Sequence, residues 1–351
     1  MKSFSIVSTQ MQLLNCVELL QTLGIDHNEL LVMAFSAERK RQILHIIESL
    51  SYTAFFKKIS VVEPKYKSDV FNSFYFKRKI NKATFRCSTY DTLVICNYKN
   101  IYIRYAYYKI WEKVPNINTY VVDDGMSNLE ILRRRNEELN AGKASIELGR
   151  RHYSVVFPLN GLKKCVAPKL SFFTNHDSIN IHLPDVFIRN NYEHVRNGDF
   201  SKLTFDEEMD ICFIGQPLPQ FGTLDKETYN LWIRKFITDY NVRKGSVKYI
   251  PHPAEIIDEN IEEELKKELT ITNLDLPIEI YALKFSSSVI VAGFYSAALF
   301  NVHKIRPDLK VYCINPFNHI CLAPAKKQTI DAVFSVLINS GVEVYKNTFD
   351  D

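Results

Sequence analysis

The sequence predicts an α/β protein made of two doubly wound, mainly parallel sheets. Three observations carry this. The 351 residues exceed the usual size of a single domain. Short apolar runs of strand length alternate with stretches of helical period. Polar residues recur where those runs end at their carboxyl side, which is where open α/β sheets keep their ligands.

Taken in order, Phe4 to Ser8 is a short apolar run. From Thr9 onward, Met11, Leu14, Val17, Leu20 and Leu23 fall at helical spacing, so strand, tight turn and helix follow at once. Glu29 to Phe35 is a second strand, leading into a charged helix from Ala37 to Ser51, and Lys58 to Val62 is a third. A polar, aromatic stretch then precedes Asp91 to Cys96, a continuous apolar run typical of a strand covered on both faces. Tyr102 to Trp111 is ambiguous but leans to helix. Asn118 to Val122 leads into Asp123-Asp124-Gly125, and Ser127 to Leu139 reads as a charged helix. His152 to Leu203 is irregular and reads as the tail of the first domain and a linker.

The pattern restarts at Asp210 to Ile214, which ends in the loop Gly215-Gln216-Pro217-Leu218-Pro219 before a helix from Lys226 to Tyr240. Lys248 to Pro253 is a short strand ending in a histidine between two prolines, and an acidic helix is expected from Ala254 to Leu269. Ser287 to Gly293 is a buried strand that turns through Phe294-Tyr295-Ser296 into a helix. Leu309 to Ile314 is the last strand expected, and Gln328 to Leu337 a closing amphipathic helix. The boundary falls near residue 205, giving domains 1–205 and 206–351.

Hydrophobic residues are 46% and charged residues 24% of the chain, ordinary for a globular protein with a full core, so disorder is excluded. The net charge of +4 is too small to imply a nucleic-acid partner. Basic clusters at Lys77-Arg78-Lys79, Arg133-Arg134-Arg135, Arg150-Arg151 and Lys163-Lys164 read either as solvated helix ends and loops or as a surface for anionic lipid or substrate. The seven cysteines (16, 87, 96, 165, 212, 313 and 321) form no C-x-x-C pair and read as reduced core residues of a cytoplasmic protein. The N-terminus lacks a signal-peptide pattern, and no segment approaches 18 apolar residues, so no membrane span is expected.

Three strand-end features need one explanation: Asp123-Asp124-Gly125, His252-Pro253 and Ser296. Pro251 and Pro253 hold His252 in an extended geometry, although a surface turn with an idle histidine would have the same sequence. Ser296 opens a helix, where its hydroxyl and nearby N–H groups suit a phosphate or serve as a plain N-cap. Two Rossmann-like halves without a G-x-G-x-x-G fingerprint point to a GT-B type fold, two domains facing across a cleft, more than to a dehydrogenase. An aspartate and a histidine meeting in such a cleft could deprotonate an acceptor hydroxyl and stabilise a leaving phosphate, the chemistry of glycosyl transfer.

The ordered pair Asp-Asp-Gly and His-Pro resembles the D/E-D/E-G and H-P motifs of bacterial sialyltransferases. The contexts Ile6 to Leu13, Ile214 to Pro217 and Tyr249 to Glu255 are most similar to glycosyltransferase family 52, the lipooligosaccharide and capsule sialyltransferases. The resemblance implies an inverting transfer of sialic acid from CMP-sialic acid, with an acceptor-binding first domain and a CMP-sugar-binding second domain. Asp124, or its neighbour Asp123, would be the general base. His252, followed by Pro253, would contact the CMP phosphate. Gly215 and Gln216 would line the cytidine, with glycine allowing close backbone approach. Glu279 would accept hydrogen bonds from the ribose, an ordinary surface glutamate being the alternative, and Ser296 would hold the phosphate.

No metal and no other cofactor are implied, because histidine can stabilise the single phosphate of the donor. The implied acceptor is a glycan ending in galactose or sialic acid. The implied location is cytoplasmic, with peripheral contact at the inner face of the membrane through the basic clusters and the apolar helix Ala332 to Leu337; a homodimer is compatible with it. Polysialyl transfer or hexosyl transfer on the same fold, and a non-catalytic basic protein binding a glycan or other polyanion, are the competing readings.

Overall fold

The computed structural model describes residues 1–85, 89–97, 100–123, 127–144, 153–175, 184–200, 209–240, 245–316 and 324–345. The chain divides into two compact units, Met1–Asp199 and Phe200–Asp351.

The first unit contains seven strands: β1 (Lys2–Val7), β2 (His27–Met33), β3 (Phe56–Val62), β4 (Thr92–Ile95), β5 (Asn118–Val122), β6 (Ser171–Thr174) and β7 (Val186–Arg189). They lie in the order β3-β2-β1-β4-β5-β6-β7, and every pairing is parallel. β1 and β4 are buried along nearly their whole length, as a strand covered on both faces must be. The second unit contains β8 (Ile211–Ile214), β9 (Val247–Ile250), β10 (Thr270–Ile271), β11 (Ile290–Gly293), β12 (Lys310–Ile314) and β13 (Glu343–Tyr345). Their order is β10-β9-β8-β11-β12-β13, again all parallel. Counted within the unit, this is the 3-2-1-4-5-6 order of a dinucleotide-type doubly wound sheet.

Four expectations are corrected. The polar, aromatic stretch before β4 holds a helix, Asp69–Ala83, whose entry is fixed by Asn72: its Oδ1 accepts the N–H groups of Lys65 and Tyr66 at 2.9 and 2.8 Å. The region read as tail and linker supplies β6 and β7, whose polar ends, Ser171, Thr174 and Arg189, break the continuous apolar run that marks β4 and β8, strands of the same length. The acidic stretch after His252 is two short helices, Ile257–Asn260 and Glu263–Lys266, because Asn230 intercepts the backbone between them. Its Nδ2 donates to the carbonyl of Asn260 at 2.8 Å and its Oδ1 accepts the N–H of Glu262 at 3.0 Å. Finally, β13 follows the closing helix, which runs Pro324–Asn339. That helix turns its apolar face inward: Val333, Phe334 and Leu337 are buried, so the stretch Ala332 to Leu337 is core rather than a membrane anchor.

The basic clusters divide as well. Arg135 is 0% exposed and grips Asp185 through Nε and Nη2 at 2.7 and 2.9 Å, while Nη2 also donates to the carbonyl of Ala167. It is therefore a core residue joining the helix after β5 to the approaches of both β6 and β7. Arg150-Arg151 lie outside the described residues. Cys16, Cys96, Cys165, Cys212 and Cys313 are free and buried, and burial pushes the Cys16 and Cys212 thiols up to about 12. Cys87 and Cys321 lie outside the described residues. No helix among the described residues is long and apolar enough to cross a membrane.

Candidate functional site

In the second unit the chain leaves β8 toward β9 on one side, whereas β11 is followed by β12 on the other. A doubly wound sheet opens a crevice at such a switch point, beyond the carboxyl ends of the two strands. β8 runs into Gly215-Gln216-Pro217, and β11 runs into Phe294-Tyr295-Ser296. The strand ends approach closely, since a Cβ on Gly293 would come within 2.8 Å of the Ile214 carbonyl oxygen. Gln216 ties the two loops together by donating from Nε2 to the carbonyl of Tyr295 at 3.0 Å. Its Oε1 is buried with no hydrogen-bond partner among the described residues, which leaves an acceptor at the switch point in need of a donor.

His252 follows β9, the neighbour of β8. Its turn is closed by the N–H of Glu255 donating to the His252 carbonyl at 2.8 Å, and the N–H of Ala254 donates to the ring Nδ1 at 3.1 Å. An Nδ1 that accepts cannot carry the proton, so the neutral ring holds it on Nε2 as an outward donor. Desolvation by the surrounding protein lowers the pKa from the usual imidazole value, and the Glu255 carboxylate acts in the opposite sense. The ring remains exposed at the surface, as a ligand-contacting group requires.

A buried relay connects the two loops. The Gln216 N–H donates to the Tyr229 hydroxyl at 3.0 Å, Tyr229 and Tyr249 share a hydroxyl contact of 2.8 Å, and the Tyr249 hydroxyl donates to Glu255 Oε1 at 2.6 Å. Because the Tyr249 proton goes to Glu255, the Tyr229 hydroxyl must donate to Tyr249. Glu255 also accepts Asn260 Nδ2 on Oε1 at 3.0 Å and the His252 N–H on Oε2 at 3.1 Å. Burial raises both tyrosine pKa values, which keeps the hydroxyls protonated as donors. Tyr249 stacks on Phe213 and Tyr229 on Phe294, so the relay is held by packing as well.

Gly215 gains a physical reason here. A Cβ on it would overlap the Tyr249 hydroxyl and the Glu255 carboxylate, so the space that glycine frees is filled by the relay. The family resemblance implied a nucleotide beside that space. Tyr229 and Asn260 were not singled out in the sequence, and Tyr249 and Glu255 entered only as the ends of the context around His252. Glu255 stood three residues after His252, but nothing local marks a glutamate as the acceptor of three donors from separate elements.

Ser296 is the N-cap of the helix Ala297–Ile305, its hydroxyl oxygen accepting the N–H of Ala298 at 3.2 Å. The hydroxyl proton is not used in that bond. Glu279 is a buried residue rather than an ordinary surface glutamate. At 4% exposure, it accepts Asn301 Nδ2 at 3.0 Å, which joins it to the same helix, and burial raises its pKa. Pro253 is exposed beside His252.

In the first unit the equivalent switch point lies between β1 and β4. Thr9 caps the helix Gln10–Thr22 by accepting the Gln12 N–H, and Gln12 Oε1 reaches back past the cap to accept the Ser8 N–H at 2.7 Å, which fixes the entry to the helix. Asp123 directly follows β5 and is 2% exposed. Its Oδ2 accepts the Asn175 N–H at 2.9 Å, and its carbonyl accepts Asn15 Nδ2 at 3.2 Å. Asp123 thus ties the ends of β5 and β6 to the first helix. Asp124 and Gly125 lie outside the described residues. Among the described residues no group of three or more His, Cys, Asp or Glu side chains is arranged to hold a metal ion.

The family described as Alpha-2,8-polysialyltransferase (POLYST) matches residues 3–315, which reach into both units. The chain belongs to this family. It is thereby placed among the bacterial sialyltransferases, a group of glycosyltransferases, and this agrees at that level with the motif resemblance to family 52. No curated protein sequence matches the chain.

Three solved structures are similar to it. UDP-GlcNAc 2-epimerase from Neisseria meningitidis, bound to UDP-GlcNAc, is 11% identical with a TM-score of 0.51 over 98% of this chain and 95% of that one. The alpha/beta-galactoside alpha-2,3-sialyltransferase from Photobacterium phosphoreum is 9% identical with a TM-score of 0.49, covering 98% of both chains. MurG from Acinetobacter baumannii is 12% identical with a TM-score of 0.43 over 99% of this chain and 87% of that one. At such identities the likeness is one of fold, and of these three the epimerase carries it. The polysialyltransferase-family chain has a GT-B type fold.

Proposed function

We propose that the protein transfers sialic acid from CMP-sialic acid to a hydroxyl of a surface glycan by a single inverting displacement. The acceptor oxygen forms the new bond at the anomeric carbon as the bond to the CMP phosphate oxygen breaks. Asp124 takes the acceptor proton. The charge that leaves on the phosphate is met by the Nε2–H of His252, with the Ser296 hydroxyl as a second donor. The buried acceptor of Gln216 suits the exocyclic amino group of cytosine, and Glu279 suits the ribose. Asp123 is not the base in this scheme, because its buried carboxylate is already committed to the backbone of Asn175.

The observation that carries the proposal is the His252 turn. In a chain of a sialyltransferase family, it presents a ring fixed as an Nε2–H donor at the strand next to the β8/β11 switch point. The family match also favours a second reading, chain extension onto an acceptor that already ends in sialic acid.

The test is CMP release and product formation from CMP-sialic acid, with galactose-terminated and sialic acid-terminated acceptors in parallel and a chelator present. Transfer to the first supports single addition, and a ladder of products from the second supports polymerisation. Loss of activity in the chelator would overturn the metal-free mechanism. No turnover with either acceptor, in the presence or absence of metal, would overturn the proposal.

A further inference from the structure

The helix Asp69–Ala83 buries one face and leaves the other with an unusual composition. Ser73, Phe76 and Ile80 point into the core. On the opposite side Phe71 is 64% and Phe74 47% exposed, Val70 is also exposed, and Tyr66 in the approach to the helix is 46% exposed. The ring of Tyr66 stands 6.2 Å from Phe71 and 6.0 Å from the half-buried Tyr75, so Tyr66 and Phe71 are propped together, and Phe74 is exposed on the same outer side of the helix. A surface helix normally turns charged and polar residues to water on this side. Three exposed aromatic rings on one side of it mark a contact surface.

Charge identifies the occupant. Residues 65–85 contain six basic residues, Lys65, Lys67, Lys77, Arg78, Lys79 and Lys82, against one acidic residue, Asp69. The nearby Glu63 is neutralised by Lys40 at 2.7 Å. Arg78 and Lys82 continue the stripe of Val70 and Phe74 at four-residue steps, and both are exposed. Aromatic side chains at the centre and cations along the same helix face form the pattern of a helix lying in the headgroup region of an anionic bilayer.

We infer that this face of the first unit is a peripheral docking surface for anionic phospholipid. The aromatics enter the acyl boundary while Lys67, Arg78 and Lys82 meet the headgroups. The inference stands apart from the sugar-transfer reading, since lipid binding needs no CMP-sialic acid.

The test is sedimentation of the full chain with vesicles of phosphatidylcholine alone or with phosphatidylglycerol added. Binding is expected only with phosphatidylglycerol and is expected to weaken with salt. The double variant Phe71→Ser/Phe74→Ser and the triple variant Lys67→Gln/Arg78→Gln/Lys82→Gln should each weaken it by about ten-fold or more. A Phe74→Trp variant provides a readout in an otherwise unaltered chain, its emission shifting to the blue on adding anionic vesicles.

Three outcomes would overturn the inference. The first is a wild-type chain that stays in solution with phosphatidylglycerol vesicles. The second is binding that the charge variant loses and the aromatic variant keeps, matched by equal binding to a soluble polyanion. The third is an aromatic variant that changes the oligomeric mass while vesicle binding is unchanged, which would assign the patch to a second copy of the chain.

Discussion

Glu255 is the residue on which the geometry of the His252 turn rests, and Glu255→Gln tests this with almost no change of shape. Its carboxylate accepts the Tyr249 hydroxyl at 2.6 Å, Asn260 Nδ2 at 3.0 Å and the His252 N–H at 3.1 Å. A carboxylate offers only acceptors, so all three donors are satisfied. The amide of glutamine offers one oxygen and one NH2 group. With its oxygen toward Tyr249 and Asn260, the NH2 faces the His252 N–H, donor against donor.

Losing one hydrogen bond to a charged acceptor is worth about 1.5–3 kcal/mol. If that bond holds the imidazole in place, turnover should fall by about ten- to a hundred-fold, mainly in kcat, because an interaction made with the leaving group is weakened. Steady-state release of CMP from CMP-sialic acid, together with a melting curve, measures both effects. A variant that melts several degrees lower yet keeps wild-type kcat would refute the link between Glu255 and His252 and leave Glu255 a purely structural residue.

Gly215→Ala should open the same relay from the other side, because its Cβ overlaps Tyr249 and Glu255. A cost of about 1–3 kcal/mol, read as a lower melting temperature together with reduced turnover, is expected. Asp124→Ala should abolish transfer and leave CMP binding intact, whereas Asp123→Ala should mainly lower the melting temperature, by the cost of an unsatisfied buried N–H of Asn175, about 1–3 kcal/mol. The reverse pattern would make Asp123 the base.

The His252 pKa is lowered in the folded protein, so on acidification the unfolded chain takes up a proton before the native ring does. The stability held by the neutral ring is therefore present above the usual imidazole value and is lost as pH falls from there toward the lowered native value. Comparing His252→Gln with wild type by denaturant melts across that window should show the difference in slope. Equal slopes would contradict the environment assigned to the ring.

The central strands were legible because strands covered on both faces become continuous apolar runs. Asn118 to Val122 is read at its observed limits, and Asp210 to Ile214 and Leu309 to Ile314 begin one residue early. Elements at the margins were not. β6 (SFFT), β7 (VFIR) and β13 (EVY) lack the continuous apolar run that marks β4 (TLVI) and β8 (ICFI), strands of the same length or nearly so, and their pairing comes from neighbours distant in sequence. The helix Asp69–Ala83 was hidden by its two-sided apolar pattern, since Phe71 and Phe74 on the outer face blur the stripe made by Phe76 and Ile80.

At the site, the positions of His252 and Gln216 after strand ends and of Ser296 at a helix start were legible because proline, glycine and N-cap chemistry mark such places locally; the roles given to them belong to the proposed function. The Tyr229–Tyr249–Glu255 relay was not legible, because hydrogen bonds between separate elements leave no spacing in the sequence. The stretch Ala332 to Leu337 was misread for a related reason: in the sequence Val333, Phe334 and Leu337 show an apolar face but not that the core covers it.

The most direct test of the central claim is the release of CMP from CMP-sialic acid by wild type and His252→Ala, with sialic acid-terminated and galactose-terminated acceptors and a chelator present. The account predicts acceptor-dependent release by wild type, a drop of about a hundred-fold or more in His252→Ala, and a glycan product longer by at least one sialic acid. Wild-type rates from His252→Ala would contradict the role given to this turn, and a chain inert toward both acceptors under every metal condition would contradict sialyl transfer itself.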